Sequence, residues 1–151
     1  MNRPSVRPPI GLRLARTART VTNAFERAMA EAGGSASVWQ VLVLVRSQQW
    51  GTQSEMAEAM GITPATLTHH LNAMEEQGLV RRWRESSNRR VQRVELTDAG
   101  IAMFDQLRDA ALKHDQRLRS SLTDDEITQL AELLDKLQAG LEPSSGARHA
   151  P

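Results

Sequence analysis

An arginine-rich segment, residues 79–97, contains the side chains with the clearest chemical meaning in this sequence. It carries six Arg and two Glu, so its formal charge is +4, whereas the whole chain has a net charge of only +1. A local excess of positive charge in a nearly neutral chain indicates contact with a polyanion at that place. The positive side chains that could make this contact are Arg81, Arg82, Arg84, Arg89, Arg90 and Arg93.

The same segment alternates apolar and polar residues on both sides of a short polar stretch. Residues 79–83 and 91–96 follow this alternation, and Ser86, Ser87 and Asn88 lie between them. Alternation of this kind is typical of half-buried β-strands that are joined in a hairpin. We therefore predict a two-stranded hairpin whose tip is polar and whose flanks carry the arginines.

Two short helices separated by a tight turn are predicted immediately before the hairpin. The first covers residues 53–60 and begins with a capping box, in which Thr52 and Glu55 each accept a hydrogen bond from the other's amide. The second covers residues 64–77, where Thr63 is the N-cap and a proline takes the first helical position. Two helices joined by so short a turn are typical of a helix-turn-helix.

The second of these helices has one apolar face and one polar face. Leu67, Leu71 and Met74 recur at helical spacing and should face the core. The opposite face has small or polar side chains without negative charge, which a DNA major groove can accept without steric or electrostatic conflict. The amides at the start of the helix, beside Thr63, also favour a phosphate. The outward residues are Ala65, Thr66, Thr68, His69 and Asn72.

A helix-turn-helix followed by an arginine hairpin is typical of a protein that reads two grooves of duplex DNA. The recognition helix enters the major groove, and arginines of the hairpin, called the wing, reach the minor groove. A helical hairpin in a core and a solvated basic loop are the alternative interpretations, and they are disfavoured because the two features follow each other directly. The candidate DNA-binding residues are Thr63, Ala65, Thr66, Thr68, His69, Asn72, Arg89 and Arg90.

Four further helices complete a predicted fold of six helices and one small β hairpin, a mainly α winged helix-turn-helix. The first helix covers residues 9–32. The second, capped by Ser37, covers residues 38–45 and is apolar nearly all round, so it should be buried. The fifth begins after Thr97 and ends near residue 120. The sixth begins with a second capping box and has an apolar stripe of Ile127, Leu130, Leu134, Leu137 and Leu141.

Several blocks within residues 42–100 resemble the MarR family of bacterial regulators. They are Ser54-Glu55-Met56-Ala57, Thr66-Leu67-Thr68-His69-His70-Leu71, Glu75-Glu76-Gln77-Gly78-Leu79-Val80-Arg81-Arg82, Asn88-Arg89-Arg90 and Val94-Glu95-Leu96-Thr97-Asp98-Ala99-Gly100. One position departs from the family pattern, which usually has Asp where this chain has Asn88. That Asp helps to orient a wing arginine through an ion pair, whereas Asn88 can hydrogen-bond only without charge assistance. We therefore expect a more mobile wing.

The resemblance implies a single domain over residues 9–142 that acts as a homodimer. Residues 37–97 would form the DNA-binding lobe, and the helices within residues 9–32 and 97–142 would form the dimer interface. A regulator of this kind, most often a repressor, binds a pseudo-palindromic operator, and a small aromatic effector bound between lobe and dimer helices changes its affinity for DNA. Trp39 is the candidate residue at such an effector pocket.

The composition argues against several other classes of protein. Because the chain has no cysteine, a disulfide, a thiolate zinc site and a thiol nucleophile are all excluded. No recognisable nucleophile motif or glycine-rich phosphate loop occurs, so we expect neither an enzyme nor a cofactor. There is no run of about 18 apolar residues and no secretory signal, so we expect a cytoplasmic protein without membrane contact. We expect disorder in residues 1–8 and 143–151.

Two alternative functions stay open on the sequence alone. His114 and Asp115 could join acids elsewhere in the chain to bind zinc, which would make the protein a metal-responsive regulator. The chain could also be a winged-helix module that contacts proteins and no longer binds DNA. Salt-sensitive binding to duplex DNA distinguishes a regulator from such a module.

Overall fold

The computed structural model of the chain describes residues 9–47, 52–88 and 92–141. Within these residues it has six helices and two strands, as the sequence predicts. In chain order they are α1 (Ile10–Glu31), α2 (Ala36–Ser47), α3 (Gln53–Met60), α4 (Pro64–Glu76), β1 (Val80–Arg84), β2 (Gln92–Leu96), α5 (Asp98–Arg119) and α6 (Asp124–Ala139).

The chain divides into two compact units, with the boundary between His114 and Asp115 inside α5. The first unit contains α1 to α4, the β hairpin and most of α5. The second contains the end of α5 and α6. The predicted arm, residues 1–8, and tail, residues 143–151, lie outside the described residues.

The helix-turn-helix of the first unit begins and turns as its capping residues predict. Thr52 Oγ1 accepts from the Glu55 amide at 3.3 Å, and the Glu55 carboxylate accepts from the Thr52 amide at 2.9 Å. α3 ends at Gly61, whose φ of +66° is the left-handed conformation that glycine adopts without strain. α4 then starts at the N-cap Thr63, whose side chain accepts from the Thr66 amide at 3.2 Å. The turn between the two helices is therefore fixed by local chemistry at both ends.

α2 begins earlier than the sequence predicts. Ser35, and not Ser37, is its cap, because Ser35 Oγ accepts from the Val38 amide at 3.1 Å. Ser37 lies within the first turn of the helix. Both serines precede the same apolar run, and capping by Ser35 makes the helix two residues longer.

The prediction that α2 is buried nearly all round is also wrong. Val41, Leu42 and Val45 are buried, but Val43 is exposed on the opposite side. An apolar run can belong to a helix that is covered on one face only. The apolar side chains on the uncovered face then line a surface cleft.

The core of the first unit draws on more helices than the DNA-binding lobe alone. Side chains from α2, α3 and α4 pack together with Met29 of α1 and Leu107 of α5, both of which are fully buried. The core of this unit is therefore completed by α1 and α5. The largest fully buried side chains are Met29, Val41, Leu42, Leu67, Leu71, Met74 and Leu107.

The two strands form an antiparallel pair that is joined closely to the start of α5. Its register runs from Val80 opposite Leu96 to Arg84 opposite Gln92. The Thr97 amide donates to the Leu79 carbonyl at 3.1 Å. A Cβ atom placed on Gly100 would lie 1.9 Å from the same carbonyl oxygen, so only glycine fits at this position of α5.

In the second unit, α6 begins with the predicted capping box. Thr123 Oγ1 accepts from the Glu126 amide at 3.3 Å, and the Glu126 carboxylate accepts from the Thr123 amide at 2.8 Å. α6 has no buried residue. Its leucines, Leu130, Leu133, Leu134 and Leu137, are 41 to 49% exposed. An amphipathic helix with this exposure has an apolar face that nothing in the described part of the chain covers.

Among the described residues, no single helix is long and apolar enough to cross a membrane. α1 and α2 reach that length and composition only when they are taken together, and they meet at a bend of 77°.

Candidate nucleic-acid interface

α4 separates its apolar and polar side chains as the sequence predicts. Leu67, Leu71 and Met74 are at most 1% exposed and hold the helix on the core. The outward face is open over about two turns of the helix. The residues exposed on it are Ala65, Thr66, Thr68, His69 and Asn72.

The threonine hydroxyls on this face already make local hydrogen bonds. Thr63 Oγ1 and Thr66 Oγ1 are 2.9 Å apart, and Thr68 Oγ1 donates to the Pro64 carbonyl at 2.9 Å. The Thr68 hydroxyl therefore keeps only acceptor capacity for a base edge. The His69 imidazole makes no hydrogen bond to any described residue, so both of its ring nitrogens are available to a partner in a groove.

Asn72 differs from the other outward residues because a wing arginine holds it. Its Oδ1 accepts from Arg82 Nη2 at 2.6 Å. The same guanidinium donates to Glu75 Oε2 from Nε at 3.0 Å and from Nη2 at 2.6 Å. The Arg82 main-chain amide donates to Glu75 Oε1 at 3.1 Å. Asn72 and Glu75 of α4 and Arg82 of β1 thus form one hydrogen-bonded group, called here the Arg82 clamp.

The electrostatics of the Arg82 clamp favour a charged carboxylate. The side-chain hydrogen bonds from Arg82 lower the pKa of Glu75, and the Arg82 amide and positive charge lower it further. Partial burial of Glu75 opposes this effect. Arg82 itself is largely covered, with a side chain only 13% exposed. The negative charge of Glu75, at the C-terminal end of α4, is therefore compensated by Arg82.

The wing is less positive than its arginine count suggests, which corrects the picture of six available cations. Arg81 forms an ion pair with Glu95 on the opposite strand, and Arg93 pairs with Glu85 through bonds of 2.9 and 3.0 Å. Arg84 makes no ion pair with any described residue. The three paired arginines are neutralised locally, so Arg84 is the described wing arginine that keeps an uncompensated charge.

The two wing-tip arginines proposed to contact DNA, Arg89 and Arg90, lie outside the described residues. Asn88, which precedes them, is exposed. The effect of this asparagine on wing mobility stays a prediction.

The acidic partners of the wing arginines were missed by the sequence argument. Glu95 could have been found, because it lies opposite Arg81 once the hairpin register is known. Glu75 and Arg82 are seven residues apart across a helix-to-strand turn, and no periodicity brings them together. Their contact depends on the angle between α4 and β1, and the sequence pattern does not predict this angle.

Trp39, the candidate pocket residue, stacks on Phe104 of α5 with ring centres 5.3 Å apart. The Arg46 guanidinium lies 4.5 Å from the centre of the same Phe104 ring. Trp39 also borders a cavity of about 220 Å³. The cavity lies between α2 and α3, and its other lining residues are Gln40, Val43, Leu44, Ala59 and Met60.

A second cavity, of about 260 Å³, lies between the wing and the α2 and α3 helices. Trp83, Arg93 and Val94 of the hairpin line one side of it, and Val45 and Met56 line the other. The two strands of the wing therefore differ in their packing. The Arg82 clamp joins β1 to α4. On the β2 side, described side chains leave the cavity between the wing and α3 open.

The structure gives no support to the zinc alternative within the residues it describes. No group of three or more His, Asp or Glu side chains is close enough there to hold a metal ion. His114 is half-buried, and its ring packs edge-on against Phe25 at 5.4 Å. Its buried Nε2 has no hydrogen-bond partner among these residues. His114 is therefore a packed ring of the first unit.

A short helix pair, an outward polar face on its second helix and an adjacent two-stranded wing define a winged helix-turn-helix protein. The MarR family model matches residues 35–91, which contain α2, α3, α4 and β1. A curated relative is the HTH-type transcriptional regulator PecS of Dickeya dadantii (strain 3937), 24% identical over 131 residues that make up 85% of this chain and 79% of PecS.

Solved structures agree with this assignment. The transcriptional repressor CouR bound to a 23-mer DNA duplex is 27% identical, with a TM-score of 0.77 over 91% of this chain and 98% of CouR. CouR from Rhodococcus jostii RHA1 bound to p-coumaroyl-CoA is 26% identical, with a TM-score of 0.73 over 96% and 100% of the two chains. Residues 35–91 match the MarR family model, and the chain shares the winged helix-turn-helix fold of DNA-binding transcriptional regulators.

Proposed function

We propose that this regulator is a cytoplasmic repressor that binds a pseudo-palindromic operator as a homodimer and leaves it when a small molecule binds. The observation that carries the proposal is the open polar face of α4 beside an arginine-bearing wing. It is supported by the likeness to CouR, which is described as a transcriptional repressor bound to a DNA duplex.

The first part is that α4 reads bases in the major groove. The helix is fixed on the core by fully buried side chains, so its outward face is presented rigidly. His69 offers a ring nitrogen as donor or acceptor, and Thr66 and Thr68 offer hydroxyls and methyl groups. Side chains of these kinds discriminate base pairs by hydrogen bonds and by contact with the thymine methyl group. Thr63 and Ala65, at the start of the helix, lie where its amides favour a phosphate.

The second part is that the wing contacts the phosphate backbone and the minor groove. Arg84 keeps an uncompensated charge among the described residues, and the sequence places Arg89 and Arg90 at the tip. Arginine inserted into a narrow minor groove is attracted by the enhanced negative potential there. These contacts add affinity for duplex DNA of many sequences.

The third part is that the protein dimerises through its terminal helices. Ile10, Leu12 and Leu14 of α1 are 41 to 67% exposed, and α6 exposes a row of leucines. Soluble monomers rarely leave apolar surfaces of this extent open. Joining two copies about a two-fold axis would bury the same faces on both subunits. It would also present two recognition helices to two half-sites of one operator.

The fourth part is that a small aromatic effector reduces the affinity for DNA. The relative CouR has been crystallised with p-coumaroyl-CoA, a ligand with an aromatic ring. In this chain Trp39 offers an aromatic wall to the cavity between α2 and α3. Because α3 packs against α4, a ligand that displaces α3 would also shift the recognition helix. A ligand acts in this way only if its affinity differs between the two arrangements.

The test of the proposed function is selection of binding sites from a random duplex library with the purified protein. We expect an inverted repeat whose half-sites are about one helical turn, or 34–36 Å, apart. Binding to the selected site should weaken as salt is added. The Thr68→Glu variant introduces a negative charge on the outward face of α4 and should lose duplex binding. The Gln77→Glu variant adds the same charge beyond the end of α4 and should keep it.

The winged-helix protein-interaction module is the competing outcome of the same experiment. If no sequence is enriched and duplex binding does not depend on salt, the module replaces the repressor. Enrichment of a single half-site by a monomer would instead refute the dimer and leave the DNA-binding assignment intact.

A further inference from the structure

The Arg82 clamp is the only group of side-chain hydrogen bonds that joins the wing to the recognition helix among the described residues. The Arg81–Glu95 and Arg93–Glu85 pairs connect residues of the hairpin with each other. Arg82, in contrast, reaches from β1 to Asn72 and Glu75 on α4. The clamp therefore acts on the angle between two elements, whereas the other pairs act within one element.

The geometry of the clamp restrains direction as well as distance. The guanidinium is planar, and its Nε and Nη2 both donate to the same oxygen, Oε2, of Glu75. Hydrogen bonds between charged groups are shorter and stronger than neutral ones, and the rigid guanidinium fixes the directions of its donors relative to one another. The Arg82 amide donates to the other carboxylate oxygen, so Glu75 also fixes the main chain of β1. A wing held by three donors of one residue cannot rotate about α4 without breaking several bonds together.

Asn72 lies on the outward face of α4, yet its oxygen already accepts from Arg82 at 2.6 Å. The bidentate contact of asparagine with adenine uses the oxygen and the nitrogen of the amide together. With the oxygen oriented toward Arg82, Asn72 cannot turn this pair of atoms toward a base without leaving the clamp.

We propose that Arg82 is a positioning residue that sets the angle of the wing on the recognition helix, and that Asn72 serves this clamp and does not read a base. The proposal rests on the proposed function and adds a residue contact that contributes to its sequence specificity. The clamp fixes the distance along the operator between the bases read by α4 and the minor-groove segment touched by the wing. Base reading is then confined to the N-terminal part of α4, from Ala65 to His69.

The first experiment measures the clamp without DNA. The chain has no cysteine, so two introduced cysteines can be spin-labelled without side reactions. Labels at Ser87 of the wing and Glu58 of α3, in protomers diluted with unlabelled protein, report the distance between the wing and the helix-turn-helix. Arg82→Gln should broaden this distance distribution, and Asn72→Ala should broaden it by a smaller amount.

Arg81→Gln is the matched control for this experiment. It removes the same charge from the next residue and breaks an exposed pair, but that pair does not reach α4. The wild-type distribution should be kept. A distribution that is unchanged in Arg82→Gln would overturn the clamp whether or not the protein binds DNA. Arg82→Lys keeps the charge and loses the fork, so broadening in this variant supports the directional argument even if Arg82→Gln does not fold.

The second experiment repeats the binding-site selection with the same variants. In Arg82→Lys and Asn72→Ala, the preference for the inner bases of each half-site should stay, while the preference in the flanking wing-contact segment becomes flat. Affinity for the wild-type site should fall by about tenfold. The Arg81→Gln control should keep the preference in both segments and most of the affinity, because Arg81 is already paired with Glu95. A changed preference at one inner base in Asn72→Ala would show that Asn72 reads that base, which would overturn the second half of the proposal.

The outcomes separate this inference from the proposed function. If the wild-type protein selects no duplex sequence, the proposed function fails, and the distance measurement still decides whether the clamp exists. If the wild-type protein selects an operator and the variants select the same operator with the same flanks, the clamp has no part in specificity.

Discussion

His69 is the side chain on α4 with the most capacity to distinguish bases, because its ring nitrogens are not used by any described residue. Its neighbours Thr66 and Thr68 have already committed part of their hydrogen-bonding capacity to the helix. At the scale of single residues, the proposed discrimination between base pairs would therefore depend on a histidine that can donate, accept or do both. Its tautomer would be set by the base that it meets.

Replacing His69 by Ala should change the preferred base at one position in each half-site. The loss of one good base contact costs roughly 1–3 kcal/mol. Binding measurements against a panel of single-base operator variants give this preference directly. His70→Ala is the control, because His70 is half-buried on a different side of α4 and should leave the base preference unchanged. A uniform loss over all sequences would mean that His69 contacts only phosphate.

Glu75 makes the stability of the wing depend on acidity. Arg82 lowers the pKa of this carboxyl group in the folded protein, so the folded state holds the charged form more strongly than the unfolded state does. The resulting stabilisation is fully present above the ordinary glutamate pKa of about 4.3 and is lost as the pH falls through the lowered value. Glu75→Gln should remove this part of the acid dependence, as measured by urea unfolding at a series of pH values. Glu76→Gln, on the next residue, is the control and should follow the wild-type profile.

At the scale of elements, local capping chemistry made much of the fold predictable. The capping boxes at Thr52 and Thr123 predict where α3 and α6 begin, because each pairs a threonine hydroxyl with a glutamate three residues later. Burial on α4 was also predictable, since Leu67, Leu71 and Met74 repeat at helical spacing. These features depend on residues within one or two turns of each other, which a sequence displays directly.

Features that depend on how elements meet could not be predicted in the same way. The choice of Ser35 over Ser37 is decided by how much of α2 packs on the core, and both residues are serines. The Arg82 clamp depends on the angle of β1 to α4. The exposure of Val43 depends on which face of α2 is covered. In each case the sequence offers several equivalent local solutions, and packing between elements selects one.

The cap of α2 gives a direct comparison between two serines. Ser35→Ala removes the acceptor for the Val38 amide and should lower the free energy of unfolding by about 0.5–2 kcal/mol. Ser37→Ala lies inside the helix and should change it by only a few tenths of a kcal/mol, since alanine is the better helix former. Urea titrations of the two variants measure the difference. Equal losses in both would contradict the assignment of the cap.

The wing tip should supply affinity that does not depend on sequence. Arg89→Ala and Arg90→Ala, made together, should weaken binding to many sequences and reduce its salt dependence. Each lost phosphate contact lowers the slope of log K against log salt by about 0.9. The matched control is Arg81→Ala, which removes an arginine already paired with Glu95 and should change the slope less. An unchanged slope and affinity in the double variant would exclude a role of the tip in DNA contact.

At the scale of the whole molecule, the exposed leucines of α6 bear on assembly. Leu134 and Leu137 are 41 and 42% exposed, and they lie on the apolar face of a helix with no buried residue. A homodimer that covers this face would gain about 25 cal/mol for each square ångström of apolar surface removed from water. Dimerisation would therefore be coupled to operator binding, because both half-sites must be engaged by one particle.

Introducing charges at both positions, as Leu134→Glu with Leu137→Lys, should give monomers or insoluble protein without operator binding. Analytical ultracentrifugation at micromolar concentration and DNA binding on the same sample check this. Gln129→Glu, at a polar exposed position of the same helix, is the control and should sediment as the wild type does. A wild-type protein that sediments as a monomer and still binds a single half-site tightly would refute the dimer.

The close approach of Gly100 to the Leu79 carbonyl limits which substitutions the protein tolerates and also couples the motion of α5 to that of the wing. This contact joins main chain to main chain, with no side chain between the start of α5 and the entry to the wing. Side chains can change rotamer when a neighbour changes, but two stretches of backbone in direct contact cannot adjust in this way. A small rotation of the first turn of α5 must therefore appear as a displacement of the wing. Substitutions at other positions can change what the protein recognises without disturbing this contact. Any residue other than glycine at position 100 would force α5 and the start of the wing apart.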